Sequence, residues 1–236
     1  MTNLYCSFAT VSVVVLIQTI ALIINKFSSG ETMKLFYSPG ACSLAPIIVA
    51  EWLDIKLTLQ KIDLKNPDPY FLSNNPLGAV PVLQMNNGDY KNQVDAILQY
   101  FCALNPEGKL VGKDIFDWFE IDRWVAFLTG DFHPPFGVWF NPGRYTTEED
   151  EESIAAVKAA ATNRIHRVAA VLEKQIGTTN NIVLGRRTLL DAYAFSMVRW
   201  IDLLEGGFDP YPNMKRFMDR MKEDQQVQNA LIKESA

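Results

Sequence analysis

The sequence predicts an α/β unit followed by an all-α unit, and two observations carry this. Between Lys34 and Leu104, short apolar segments bounded by turn residues are separated by stretches with helical spacing. Beyond Asn105-Pro106-Glu107-Gly108, a run of turn formers, apolar residues recur at three and four almost to the end.

Lys34-Leu35-Phe36-Tyr37 reads as the first strand and feeds a tight turn at Ser38-Pro39-Gly40. Leu44, Ile47, Ile48, Trp52 and Leu53 then mark a helix, with Ser43 as its cap or first-turn hydroxyl. Cys42 therefore stands at a strand-to-helix junction. The unpaired N–H groups and positive dipole end there favour an anion, the thiolate of Cys42 or that of a bound thiol. The plain alternative is an inert buried cysteine. Residues 56–62 alternate polar and apolar, a second strand with Leu57, Leu59 and Ile62 inward. Asn66-Pro67-Asp68-Pro69 breaks it, and Tyr70-Phe71-Leu72 makes a helical turn at best. In Asn75-Pro76-Leu77-Gly78-Ala79-Val80-Pro81-Val82-Leu83 a proline stands at the mouth of an apolar strand, which a cis Val80–Pro81 bond accommodates. Asn86-Asn87-Gly88-Asp89 signals a hairpin, and a helix follows over about 94–104 with Ile97, Leu98 and Phe101 buried.

In the second unit Ile154, Val157, Ala161, Ile165, Val168, Leu172 and Ile176 predict one long amphipathic helix. Its start is signalled by Thr147 and the acidic run at 148–152, a solvated first turn that complements the dipole. His166 on this helix reads as a boundary residue. Thr188-Leu189-Leu190-Asp191 is a capping box heading a helix through Ile201 that is apolar nearly all round, the buried axis of the unit. Tyr211-Pro212 opens a helix through Met221, and a short one spans 227–232. The division expected is an extension at 1–32, an α/β domain at 33–105, a linker at 106–115 and a helical domain at 116–236.

Composition narrows the function classes. The 236 residues carry a net charge of −5, with no basic footprint for nucleic acid. Cys6, Cys42 and Cys102 are odd in number and widely spaced, which fits neither a disulfide framework nor a metal site, and no metal is expected. Residues 8–24 form an apolar run whose reach, about 25 Å, falls short of a ~30 Å hydrocarbon core. It has three readings: a membrane anchor leaving the rest of the chain cytoplasmic, a cleaved signal lacking a basic n-region, or an extension ahead of a true start at Met33.

The stretches Met33-Lys34-Leu35-Phe36-Tyr37-Ser38-Pro39-Gly40-Ala41-Cys42-Ser43-Leu44-Ala45-Pro46 and 75–83, Asp191-Ala192-Tyr193 with Trp200, and the ending from Tyr211-Pro212-Asn213 through Val227-Gln228-Asn229-Ala230-Leu231 resemble the cytosolic glutathione transferases, the bacterial beta class in particular. The resemblance runs from Met33 to the end. It implies a thioredoxin-like domain followed by a helical one, glutathione as co-substrate and a homodimer. It also implies that Cys42 faces the glutathione sulfur and can form a mixed disulfide with it. Val80 and Pro81 would then offer backbone to the tripeptide, His133 would reach the same thiol from the helical domain, and Trp200 would line the site. Gln93 and Val94 stand where the family has an acidic residue and a serine that hold the glutamyl end. Ala126 and Pro134 replace an asparagine and a lysine. Losing a charge-assisted contact and a neutral one costs on the order of 2 to 4 kcal/mol of binding.

Two functions follow from these expectations. The first is an enzyme in which a glutathione thiolate attacks a small apolar electrophile, or Cys42 exchanges with a disulfide, with His133 supplying a proton or a hydrogen bond. Phe132, Phe136, Trp139 and Phe140 are expected to line its electrophile pocket. The second is a binding or scaffold protein that keeps the fold with a weakened glutathione site. The retained Cys42, Pro81 and His133 favour the enzyme.

Overall fold

The alternation in Met33–Tyr37 builds a sheet covered on both faces. Leu35 and Tyr37 enter the main core, while Phe36 points the other way, into a smaller cluster with Ile62, Phe71 and Val82. The computed structural model describes residues 33–236. In it this strand, β1, pairs in parallel with β2 (Leu57–Lys61) and antiparallel with β3 (Val82–Gln84). β3 continues antiparallel to β4 (Tyr90–Asn92), giving the order β2-β1-β3-β4. A parallel pair needs a crossover. It is supplied by α1 (Leu44–Trp52), which packs with α3 (Val94–Leu104) on the main-core face.

On the opposite face α2 (Pro69–Asn74) brings in Phe71. It is a full short helix rather than a turn, because Asp68 accepts from Tyr70 N–H at 2.7 Å and Pro69 sits in the first turn, where its missing N–H costs nothing. The Val80–Pro81 bond is cis, as expected, and the hairpin falls at 86–89.

The helical domain contains α4 (Ile115–Phe127), a π turn at Leu128–Phe132, α5 (His133–Phe140), α6 (Glu151–Thr179), α7 (Leu189–Val198), a 3₁₀ turn at Arg199–Leu203, α8 (Pro212–Glu223) and α9 (Gln225–Ser235). All ten residues of α7 are buried, and its capping box forms as expected. Asp191 accepts from Thr188 N–H, Thr188 Oγ1, Asn181 Nδ2 and Ile182 N–H; burial pushes its carboxyl up and these bonds pull it back. Two expected helix boundaries move for one reason. α6 is capped by Asp150, which accepts from Ser153 N–H at 2.8 Å, and not by Thr147. α9 starts earlier than expected because Asp224 accepts from Gln226 N–H at 2.8 Å.

The expected cytoplasmic location with an anchor is corrected. Among the described residues no helix is long and apolar enough to cross a membrane, and the run at 8–24, with the membrane contact assigned to it, lies outside the described residues.

Candidate active site

Pro39 and Gly40 turn the chain out of β1. Gly40 takes φ = +81°, a conformation that a side chain would strain, and Ala41 N–H closes the turn on Ser38 O at 3.1 Å. Ser43 does not cap α1. Its hydroxyl accepts from Ser38 N–H (3.1 Å) and donates to Ser38 O (3.2 Å), which staples the two ends of the loop together. Cys42 therefore points inward, and its thiol donates to Val80 O across 3.6 Å. It is only 5 % exposed. Burial pushes the thiol up to about 12, outweighing the backbone amide and the Arg199 charge that pull it down. Of the readings open for Cys42, its own thiolate, the thiolate of a bound thiol beside it, or a buried cysteine, burial opposes the first, because desolvation exceeds the benefit of the junction.

His133 enters from the other domain, where the π turn passes into α5. Pro134 and Pro135 fit the first turn of that helix. His133 Nδ1 lies 3.2 Å from the Tyr193 hydroxyl, and its ring packs on Trp200 at 5.3 Å. Burial drives the imidazole down to about 4, so of the proton or hydrogen bond expected from His133 the hydrogen bond is the one that a neutral ring offers near pH 7. Burial, with Cys42 and Asp95 nearby, raises the Tyr193 hydroxyl, which keeps its proton. In the tautomer in which Tyr193 donates to Nδ1, the ring proton sits on Nε2.

Both groups line one cleft of about 180 Å³, together with Val80, Pro81, Gln93, Val94 and Asp95. Enclosed ligand pockets usually measure ~300–1,000 Å³, so this one is smaller than those that enclose a whole ligand. Gln93 is exposed and takes φ = +74°, a sparsely populated conformation for a side-chain-bearing residue. Val94, only 6 % exposed, presents an apolar wall at the first residue of α3.

Of the expected site residues, the structure brings Cys42, Val80, Pro81, Gln93, Val94 and His133 to one cleft and leaves Trp200 out. Trp200 lies behind the cysteine loop, where Nε1 donates to Gly40 O at 2.8 Å, so it supports the site without lining it. Ala126 and Pro134 are exposed and do not line the cleft. The expected aromatic lining is corrected as well. Phe132 and Phe136 are fully buried in the core, Trp139 packs under Lys158, and Phe140 packs against Trp200. Tyr193 and Thr129 line the cleft without having been assigned there from sequence, as does Asp95, which the sequence offers as a replacement anchor for Gln93 and Val94 by a shifted register. Tyr193 was readable as part of the stretch at 191–193, but its role depends on a contact 60 residues away. His166, expected as a boundary residue, is half-buried with Nδ1 2.7 Å from the Tyr211 hydroxyl.

Comparison with known proteins places this geometry. Residues 44–109 match the family model for the glutathione S-transferase N-terminal domain, and residues 155–220 match the model for its C-terminal domain. Glutathione S-transferase GstA of Escherichia coli O157:H7 is 31 % identical over 209 residues, covering 86 % of this chain and 98 % of that protein. The solved bacterial beta class glutathione S-transferase of Sphingomonas chungbukensis superposes with a TM-score of 0.75 at 28 % identity, covering 85 % of this chain and 98 % of that one. A partial match is elongation factor 1-gamma of Prunus avium, 29 % identical over 48 % of this chain and 28 % of that protein. With its sheet domain, its helical domain and near full-length likeness to these bacterial enzymes, the chain belongs to the glutathione S-transferase family.

Proposed function

We propose that this protein is a glutathione transferase in which the thiolate of bound glutathione, rather than that of Cys42, attacks a small electrophile. One observation carries the reading: the Cys42 thiol, the His133 ring and the Val80 backbone beside cis-Pro81 converge on one cleft whose other wall is the start of α3. Among the described residues no hydrogen bond engages the Val80 N–H, so an extended peptide can pair there in strand fashion. His133, with Nδ1 turned to Tyr193, offers Nε2–H to a bound sulfur and stabilises its anionic form. Disulfide exchange through Cys42 is the less favoured step, since burial keeps that thiol protonated. Titration of reduced glutathione into the full-length protein, followed by a conjugation assay with an aryl halide, tests this. Saturable binding at cellular glutathione levels with turnover is expected.

A second reading, a scaffold with a weakened glutathione site, is favoured by Val94, whose side chain has no group to pair with a ligand carboxylate. Absence of glutathione binding would select it.

The assembly proposed is a homodimer that covers the exposed apolar start of α4, where Ile115 is 78 % and Phe116 79 % exposed. Phe116→Glu should then convert the dimer to monomer in sedimentation velocity, whereas a parent that is already monomeric would end the proposal.

A further inference from the structure

Besides the bonds within it, the loop that carries Cys42 has three backbone hydrogen bonds to residues far along the chain. Gly40 N–H donates to Glu234 Oε1 (3.1 Å), Arg199 Nη2 donates to Ala41 O (2.8 Å), and Trp200 Nε1 donates to Gly40 O (2.8 Å). Arg199 and Glu234 also grip each other: Nη1 donates to Oε2 and Nη2 to Oε1, both at 2.8 Å. Arg199 Nε donates to Ser196 O, which fixes the guanidinium plane to the end of α7. Glu234 lies in the last turn of α9 and is 5 % exposed. α9 is itself fastened to α1, through Gln226 Nε2 to Glu51 O (2.9 Å) and Lys233 Nζ to Glu51 Oε1 (2.5 Å).

A bidentate pair whose carboxylate is buried and whose guanidinium is mostly so is a poor device for stability alone, because desolvation offsets most of its attraction and apolar side chains of like volume often serve as well. What apolar side chains cannot do is hold a carbonyl and an N–H of neighbouring residues at once. We propose that Arg199 and Glu234 are positioning residues for Cys42, holding the Gly40–Ala41 backbone so that Sγ stays against Val80 O and inside the cleft. Trp200 completes the clamp, so the end of α7 and the last turn of α9 are part of the thiol site. The inference goes beyond the glutathione reading and stands apart from it, because it concerns how Cys42 is held and not what binds beside it.

The test is per-residue alkylation of the full-length protein with iodoacetamide, read by peptide mass spectrometry. Cys102, 3 % exposed on α3 and buried in the core, is the internal reporter of global opening. Glu234→Ala should raise the Cys42 labelling rate by about tenfold or more, through local opening of the loop, while the Cys102 rate stays at the parent value. Glu234→Gln, which keeps an acceptor for Gly40 N–H but not the charge, should give a smaller rise. The double variant R199M/E234M keeps the volume and removes the two polar contacts that these side chains make to the loop, leaving that of Trp200. It should label at Cys42 as fast as Glu234→Ala with a melting temperature near the parent. Cys42 and Cys102 accelerating together, or a Cys42 rate that does not move, would overturn the proposal, as would failure of all three variants to fold.

Discussion

The two ends of the cleft are built on different terms. At the sulfur end Cys42, His133 and Tyr193 come from both domains, and each is held by packing and by hydrogen bonds to its neighbours. At the α3 end Gln93 is exposed, Val94 is apolar and Asp95 is a half-buried carboxylate. Protonation states at the first end follow from burial, a property of the whole fold, so they survive many single substitutions. Recognition at the second end depends on what one or two side chains can donate or accept. Such an end can change its ligand without disturbing the core.

The largest expected effect tests the sulfur end. Burial lowers the His133 pKa from 6.5 to about 4, so between those values the unfolded chain binds a proton that the folded one refuses. Stability should therefore be fully present above pH 6.5 and fall as pH drops toward 4, by about 3 kcal/mol from this group. Denaturant titrations of the parent and of His133→Asn across that range measure it. An equal acid loss in both would mean that His133 is not the buried neutral base described here.

A smaller effect is expected at the other end. Val94→Ser places a hydroxyl at the first residue of α3, facing the cleft, where it can pair with a ligand carboxylate. Glutathione affinity should rise roughly tenfold, about 1.4 kcal/mol, with a modest loss of stability in the free protein from a hydroxyl near its own wall. Calorimetric titration of both proteins decides it. Unchanged affinity would show that the ligand does not reach α3, and the contrast between the two ends would lose its functional meaning.

How much of this was legible in the sequence follows the same division. Local signals were reliable where they are chemically distinctive: the turn at Pro39-Gly40, the cis bond at Val80–Pro81, the hairpin at 86–89 and the capping box at 188–191 all stand as read. Helix starts were misplaced where several acidic or hydroxyl residues compete, as at Thr147 against Asp150, because only the realised backbone selects the cap. The state of Cys42 was not legible. Its place at a strand-to-helix junction argues for a thiolate, but Val80 O and the surrounding core reverse the sign, and sequence position carries no measure of desolvation. The aromatic cluster at 132–140 failed for a related reason: helical spacing does not say which side of α5 meets the core and which meets the cleft. The Arg199–Glu234 clamp joins residues 35 positions apart and had no local signal at all.

Asp95 sharpens the contrast by the smallest step. It lies in the first turn of α3, where a carboxylate favours the helix by about 0.3–1 kcal/mol, and it also lines the cleft. With Gln93 uncharged, Asp95 is the carboxylate at this end that can meet a ligand ammonium group. Asp95→Asn should then weaken glutathione binding by about five- to tenfold, close to the value of one exposed charge-assisted contact. Its effect on stability should stay within about 1 kcal/mol, since only the dipole term is lost. Binding that strengthens instead would mean that a ligand carboxylate, repelled by Asp95, is what approaches α3. The anchor for the ammonium group would then have to be sought along the exposed edge at Gln93.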